Sequence, residues 1–491
     1  MRVLALAVLL ALVAACAPAP HDALRLAIPT APLTLDPRYA TDAMSARLSR
    51  LLHRPLVDFD AQARPVPALA GWRQLDARHY EFTLVDDARF DDGRAIRAAD
   101  VVATYEAVRD PVRASPLKDS LRNLAAVRAL DERRVAFELA RPDPLFPGTL
   151  TLGVMAAEDA ALPRDAWRRA SGAFARDSRL ADGGVRLRRL RDGARIEVLV
   201  VKDASVRALK LVAGEIDLAQ GNLPPEMLDW LGTQAGVTVL ARPGTTYSYL
   251  GLALAHPALA DRRVREALSL AIDREAITRH LFRGRARPAG GLLPASHWAA
   301  ADLAPPPHDP ARARALLAEA GYGARPLRLR YKTSADAFRL RVATALQAQL
   351  AQVGVELAID SLDWATFYAD VSHGRFELYG LSFVGVSLPD IFRQVFHGGA
   401  RPPAGLNRGG YSQPDTDRLI EAAEAATDDA RRVALYRAVQ LRVEYDLPLL
   451  PLWFEDQTAV LRRELHDYEL DAQGSFDGLA RVRRVTADGG R

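Results

Sequence analysis

The sequence predicts an α/β protein of more than one domain, and three observations support this prediction. Residues 79–85 alternate apolar and polar side chains as a half-buried strand does, and a helical apolar pattern follows at 101–108. Residues 327–331, 335–353 and 355–359 repeat the order strand, helix, strand, which indicates a sheet covered by helices. The chain has 491 residues, more than one compact core usually contains, so we expect two or three domains.

The composition is that of an ordinary folded protein. Apolar residues make up 49% of the chain and charged residues 26%, which excludes a disordered chain and a membrane-spanning one. The net charge is only +4, and no basic run with interleaved aromatic residues occurs. We therefore expect no nucleic-acid partner.

The amino terminus predicts export and lipidation. A short positive start precedes an apolar stretch at 3–13, which is too short to span a membrane, and two alanines then precede Cys16. Cys16 is the single cysteine and resembles the lipidated first residue of bacterial lipoproteins; the alternative is an incidental cysteine in an ordinary signal peptide. We expect a signal peptide over 1–15 and a lipidated tether over 16–23.

Alternation and turn residues predict the elements of the first half of the chain. The expected strands lie at 24–28, 79–85, 135–140, 185–190, 195–201 and 247–254. The expected helices lie at 44–53, 101–108 and 204–211. Gly214 stands where a left-handed residue ends the last of these helices, so we interpret it as a cap rather than as a ligand residue.

Capping signals define helices of the second half. Asp261 can cap an amphipathic helix, and Asp309, Pro310 and Gly321 mark both ends of another. The stretch 447–454 contains two prolines, which cannot donate hydrogen bonds to a neighbouring strand. It therefore predicts an edge or crossover strand rather than a central one.

Several separated motifs occur in the order found in one known family. They are Thr34-Leu35-Asp36-Pro37; Pro67, Leu69, Ala70 and Trp72, then Phe90, Asp92 and Gly93, then Asp100-Val101; the Ala213–Asp217 run; the helices at 261–274 and 308–322; and Asn407, Gly410-Tyr411-Ser412, Pro414 and Asp417. With the lipoprotein-like start, these resemble the bacterial extracytoplasmic solute-binding proteins of family 5, which serve peptide and nickel ABC importers. The chain departs from that family at residues 170–174, where only Gly172 and Phe174 of the hinge motif remain. It also departs where the family usually ends a strand with asparagine, because this chain has Leu252-Ala253-Leu254 there.

The resemblance implies a periplasmic-binding-protein-like fold (type II, large cluster C), with two lobes joined by a two-strand hinge and an extra inserted domain. Lobe I is expected to combine residues 24–46, 168–254 and 451–491. The inserted domain is expected at 47–167 and lobe II at 255–450. Ligand would be trapped when the lobes close about the hinge.

The resemblance also implies a function. It predicts the substrate-binding component of an ABC importer, which captures a short peptide or similar extended solute and delivers it to a permease and ATPase. We expect a monomer without a cofactor, lipid-anchored in the periplasm or cell envelope. The alternatives are binding of nickel, haem or another non-peptide solute, and a ligand-binding lipoprotein that acts as a sensor or chaperone.

The residues that the resemblance places along the ligand site are Tyr247, Tyr249, Phe383, Asp390, Asn407, Arg408, Tyr411 and Trp453. Core packing or turn structure is the alternative for each. Arg408 could grip a carboxylate with two hydrogen bonds. Peptide-binding relatives place an acidic residue ahead of a proline to pair with the peptide α-amino group. Here Leu388 precedes the proline, so Asp390 either substitutes for that acid or caps the helix that follows.

The sequence contains no recognisable catalytic motif. It has no GxSxG elbow, no Walker-type glycine loop, no HExxH and no CxxC. The histidines do not occur at metal-ligand spacing, although tertiary structure could bring His373 and His397 together. We therefore expect neither enzyme activity nor a metal site.

Overall fold

The computed structural model describes residues 22–485 of the chain. The predicted signal peptide and Cys16 lie outside these residues, so the expectations about export and lipidation stay predictions. Between residues 22 and 485, no helix is both long enough and apolar enough to cross a bilayer.

Strands and helices alternate through the described residues. The strands β1–β19 lie at Leu24–Ile28, Val57–Phe59, Pro65–Pro67, Ala70–Gln74, His79–Leu84, Leu124–Ala129, Arg134–Leu139, Phe174–Arg179, Val185–Arg189, Arg195–Val200, Leu218–Gln220, Val237–Leu252, Ala286–Pro288, Leu327–Ser334, Val355–Leu362, Leu378–Phe383, Leu449–Arg462, Leu465–His466 and Arg483–Arg484. The helices α1–α15 lie at Ala43–Leu52, Ala98–Arg109, Phe146–Thr149, Ala157–Ala160, Ala204–Ala213, Pro225–Gly232, Pro257–Ala260, Arg262–Ala271, Arg274–His280, Pro310–Glu319, Ala337–Ala351, Trp364–Ser372, Ile391–Phe396, Pro414–Ala425 and Asp429–Asp446. Short 3-10 turns lie at Pro111–Arg113, Lys118–Leu121 and Asp477–Ala480.

The capping predictions are confirmed. Asp261 accepts a hydrogen bond from the backbone N–H of Arg263, and Asp309 accepts one from that of Arg312. Gly214 ends α5 with φ of +73°, in the left-handed region that glycine adopts without strain. These caps depend on neighbours in the sequence, which is why the pattern alone identifies them.

One mixed sheet dominates the molecule, with the strand order β15-β14-β16-β12-β17-β11-β1-β10-β9-β8 and with β13 beside β17. The long strands β12 and β17 lie at its centre and pair antiparallel from Val237 opposite Arg462 to Gly251 opposite Leu449. One end of this pair adjoins β11, and the other end adjoins β16. Two long strands therefore connect the two halves of the sheet.

The proline-rich stretch at 447–454 enters the centre of the sheet, so the edge alternative is wrong, whereas the crossover alternative agrees with a strand that runs between the two halves of the sheet. β17 has β12 on one side and β11 or β13 on the other. The register with β12 shifts between Ser248 and Tyr249, which lie opposite Trp453 and Pro451. This irregularity accommodates a proline that has no N–H to donate.

Separate hydrophobic cores form on the two halves of the sheet and outside it. A four-stranded sheet, β4-β5-β7-β6, packs with α2 around a core drawn from residues 56–156. Its centre contains the fully buried rings of Tyr105 and Phe137, which meet edge to face at 5.4 Å. This core supports the proposed inserted domain at 47–167, whose exact limits and those of the two lobes stay predictions.

Candidate functional site

A cavity of about 1200 Å³ lies between loops of the inserted region and the segment that follows β16. One wall comes from α1 and the residues up to Phe59. A second comes from the inserted region, within residues 117–123 and 141–153. The third comes from residues 383–394 and the end of α14. The cavity is therefore lined by segments from distant parts of the chain.

The structure places two of the eight predicted ligand residues on this cavity wall. Phe383, which is 9% exposed, and the half-buried Asp390 line the cavity. The residues that do not line it are Tyr247, Tyr249, Asn407, Arg408, Tyr411 and Trp453. Ligand contact at all eight stays a prediction.

The residues away from the wall have structural contacts instead. Tyr249 stacks behind Phe383 with ring centroids 4.7 Å apart. Asn407 donates from Nδ2 to the carbonyl oxygen of Tyr411 at 2.6 Å and accepts from its N–H at 2.9 Å, which holds a turn. Trp453 is 1% exposed and packs against Phe282 with ring centroids 5.1 Å apart.

Six acidic residues line the cavity, and three of them form a cluster in which neighbouring carboxylates raise the pKa of the two aspartates. Asp143 follows β7 in the inserted region, Asp390 precedes α13, and Glu424 lies in α14. Arg393 Nε lies 2.6 Å from Glu424 Oε1 and neutralises this carboxylate. Neither Asp143 nor Asp390 forms an ion pair with any residue that the structure describes. Two negative charges of this cluster therefore lack a cationic partner.

The pKa of Asp390 reflects that missing partner. Burial raises its pKa to about 6, and the nearby carboxylates of Asp143 and Glu424 raise it as well. Burial, with a contribution from Glu424, also raises the pKa of Asp143. The Tyr436 hydroxyl near these carboxylates is buried and has no hydrogen-bond partner within the described part of the chain. A cation in this part of the cavity would favour the charged form of both aspartates.

The alternative role of Asp390 as a helix cap is not supported. Asp390 occupies the N-cap position of α13 but makes no side-chain capping hydrogen bond. Its carboxylate instead accepts a hydrogen bond from Gln394 Nε2 at 3.3 Å. The carboxylate therefore remains available to a group in the cavity.

Positive side chains lie on the wall formed by the inserted region. Arg122 and Arg141 are exposed and line the cavity, and neither pairs with a carboxylate among residues 22–485. Asn123 connects their segments, because its Oδ1 accepts from the Arg141 N–H at 3.0 Å. Each guanidinium can grip a carboxylate through two hydrogen bonds. The cavity therefore offers partners for both signs of charge.

Sequence reasoning missed Asp143, Glu424 and Arg393. Asp143 stands between two prolines, and this rigid context was the one signal that could have distinguished it. Glu424 and Arg393 have the appearance of ordinary charged positions on helices. Only the packing of α13 against α14 brings them together.

The Thr-Leu-Asp-Pro motif forms a buried ion pair that the sequence analysis also missed. Asp36 accepts hydrogen bonds from Arg38 Nε at 2.9 Å and from its Nη2 at 2.6 Å, and both residues are 0% exposed. Arg38 Nη1 also donates to the carbonyl oxygen of Ala160 at 2.7 Å. The motif therefore connects the start of the described chain to the segment that leaves the inserted region.

The two histidines considered as a metal pair have other neighbours. His373 Nδ1 lies 2.7 Å from the carbonyl oxygen of Ala369, and His397 Nε2 lies 3.1 Å from Glu421 Oε1. Within residues 22–485, no group of three or more His, Cys, Asp or Glu side chains is arranged to hold a metal ion.

Comparisons with known proteins agree with the resemblance found in the sequence. The profile of the bacterial extracellular solute-binding proteins, family 5 Middle, matches residues 62–400. The probable di/tripeptide-binding protein 5 of Pseudomonas aeruginosa is 27% identical over 474 residues, which cover 87% of this chain and 89% of that protein. The glutathione-binding protein GsiB of Escherichia coli is also 27% identical over 474 residues and 92% of each chain.

A solved structure extends the comparison to the fold. The ABC transporter substrate-binding protein CtaP of Listeria monocytogenes matches with a TM-score of 0.85 and 22% identity. The match covers 94% of this chain and 99% of that one. It confirms the predicted periplasmic-binding-protein-like fold with two lobes, a two-strand hinge and an extra domain.

Proposed function

Because the chain belongs to the bacterial extracellular solute-binding proteins of family 5, we propose that it is the substrate-binding component of an ABC importer. It captures a short peptide between its lobes and delivers the peptide to a permease and ATPase complex without chemical change. The names of two relatives, a di/tripeptide-binding and a glutathione-binding protein, support a peptide-like ligand. Lipidation of Cys16 holds the monomeric protein at the membrane.

The unpaired carboxylates of Asp143 and Asp390 are the observation that supports a peptide most directly. They line different walls of one cavity, burial raises the pKa of both, and repulsion by the Asp143 carboxylate raises the pKa of Asp390 further. A peptide α-ammonium group between them donates hydrogen bonds to both and offsets that repulsion. Asp390 thereby performs the role of the acidic residue that peptide-binding relatives have ahead of the proline, where this chain has Leu388.

The remaining charges suit the other end of a short peptide. Arg122 or Arg141 receives the terminal carboxylate, and the main chain between the two ends bonds to backbone groups along residues 383–388. Main-chain recognition leaves the side chains of the ligand free to vary. Micromolar affinity corresponds to about 8 kcal/mol, which a few such bonds together with closure can provide.

Replacement of Asp390 by asparagine tests the ammonium site. We expect Asp390→Asn to weaken binding of trialanine by about tenfold or more, because a charge-assisted hydrogen bond becomes a neutral one. Isothermal titration calorimetry at pH 7.5 measures the change. Asp415→Asn is the matched control, since Asp415 is exposed and pairs with Arg418 outside the cavity.

N-acetyl trialanine supplies the second control for this experiment, because it has no ammonium group. It should bind the wild-type protein weakly, and Asp390→Asn should not weaken its binding further. Equal binding of the free and acetylated peptides by wild type would contradict the proposal. Native mass spectrometry of the protein purified without denaturation should show a bound solute of one to three amino acids, which identifies a better probe than trialanine.

The raised pKa of Asp390 predicts that peptide affinity depends on pH. The carboxyl is ionised above about pH 6 and becomes protonated as the pH falls through that value, so attraction for an ammonium is present above it and lost below it. We expect trialanine to bind about tenfold more weakly at pH 5 than at pH 7.5. Calorimetry at both pH values should show a flatter profile for Asp390→Asn, and an equally steep profile in that variant would assign the dependence to another group.

A further inference from the structure

A second group of polar and aromatic side chains lies away from the cavity, around Arg408. Arg408 Nη1 donates to Tyr249 Oη at 3.3 Å, and Nη2 donates to Tyr368 Oη at 3.4 Å. The ring of Tyr379 meets that of Tyr249 edge to face, with centroids 5.9 Å apart. None of these four residues lines the cavity of about 1200 Å³. We call this group the Arg408 notch.

The notch contains a positive charge without a negative partner. Arg408 is half-buried, yet no carboxylate in residues 22–485 forms an ion pair with it. The partly buried Arg393, by contrast, pairs with Glu424. Removing a guanidinium from water without a counter-charge is unfavourable, and an anion beside Arg408 would offset this cost.

A phenol beside Arg408 is suited to help an anion bind. The buried Tyr249 is also hydrogen-bonded to Tyr379, so the exposed Tyr368, whose oxygen accepts from Arg408, is the phenol whose O–H can donate to an anion. Burial raises the pKa of Tyr249 well above its ordinary value, which keeps that phenol protonated. The guanidinium has five N–H donors in a fixed fork, and the phenols occupy only part of them.

Gly251 gives the notch its shape. A Cβ atom at this position would lie 2.2 Å from ring atoms of Tyr379, so only glycine lets this ring lie against β12. The ring of Tyr379 thereby reaches the same side of the sheet as Tyr249. The packing of the strand itself therefore holds the phenols beside Arg408.

Exposed aromatic rings extend the notch to the surface. Trp364 is 59% exposed and Tyr368 is 42% exposed, and the two rings stack with centroids 5.7 Å apart and an angle of 23° between their planes. Arg408 Cζ lies 5.6 Å from the centre of the Tyr368 ring. A flat aromatic surface beside an unpaired guanidinium can contact both the ring and the carboxylate of an aromatic acid.

We propose that the Arg408 notch binds a small organic anion, with its carboxylate on Arg408 and its flat ring on Trp364 and Tyr368. This site is separate from the ligand cleft and does not depend on the peptide function. It retains the affinity of Arg408 for a carboxylate that the sequence predicted, at a different place on the molecule.

Benzoate is the probe for this proposal, because it combines a ring with a carboxylate. Ligand-observed NMR titration of the whole protein should show saturable benzoate binding, with benzamide at least about tenfold weaker because it has no charge. Arg408→Gln should weaken benzoate by about tenfold, and Trp364→Ala by about threefold, through the lost charge and the lost stacking. Arg401→Gln, an exposed arginine outside the notch, and Asp390→Asn should leave benzoate affinity unchanged.

The same variants can also refute the proposed anion site. Trp364 is exposed, so Trp364→Ala tests the notch even if Arg408→Gln does not fold. Benzoate affinity that stays unchanged in Trp364→Ala, or in a folded Arg408→Gln, would refute the proposal. Displacement of benzoate by trialanine in proportion to occupancy of the cleft would refute it too, because both would then occupy one site.

Discussion

Replacement of Arg38 by methionine is expected to lower the free energy of unfolding by about 3–5 kcal/mol. Asp36 and Arg38 are both 0% exposed, so the variant leaves a buried carboxylate without its cation. The Ala160 carbonyl also loses a donor. Urea denaturation followed by intrinsic fluorescence measures the change.

Arg481→Met is the matched control for this ion pair. Arg481 lies 2.6 Å from Glu469, but both side chains are 64% exposed, so its loss should cost at most about 1 kcal/mol. Similar losses in the two variants would show that burial does not determine the strength of the Asp36–Arg38 pair. That result would leave the Thr-Leu-Asp-Pro motif without a stabilising role.

Truncation of Trp453 to alanine is expected to lower the free energy of unfolding by about 3–5 kcal/mol. The ring is 1% exposed, lies on the central strand β17 and packs against Phe282. Urea denaturation measures the loss, and trialanine titration under native conditions should show an unchanged affinity. This outcome would assign to Trp453 the core-packing alternative rather than ligand contact.

Trp230→Ala provides the comparison, because Trp230 is 40% exposed on α6. Trp230→Ala should lower the free energy of unfolding clearly less than Trp453→Ala does, since the Trp230 ring has less buried surface to lose. A Trp453→Ala protein of nearly wild-type stability that fails to bind trialanine would reverse the assignment and place this ring at the ligand.

The features that sequence predicted well are those set by neighbours in the chain. The alternation at residues 79–85 and the caps at Asp261 and Asp309 each need only a few adjacent residues, and all three are found in the structure. The family motifs predicted the fold, and the structural match confirms that prediction. Periodicity alone would not have given the order of strands.

The features that sequence did not predict depend on distant pairings. Whether a proline-containing strand is central depends on its partners, and β17 is accommodated by a shift of register at Pro451. Asp143 meets Asp390 and Glu424 only because the inserted region folds over the large sheet. No local pattern marks an aspartate that will face another one across a cavity.

The opposed carboxylates also bear on energy use by the importer. On the proposed function, an empty receptor that closed would force Asp143 and Asp390 towards each other with no cation between them, so electrostatic repulsion favours the open form. A loaded receptor has no such penalty, because its cargo supplies the missing charge. The transporter would therefore meet closed receptors mainly when they carry solute, and ATP hydrolysis would be coupled to productive delivery.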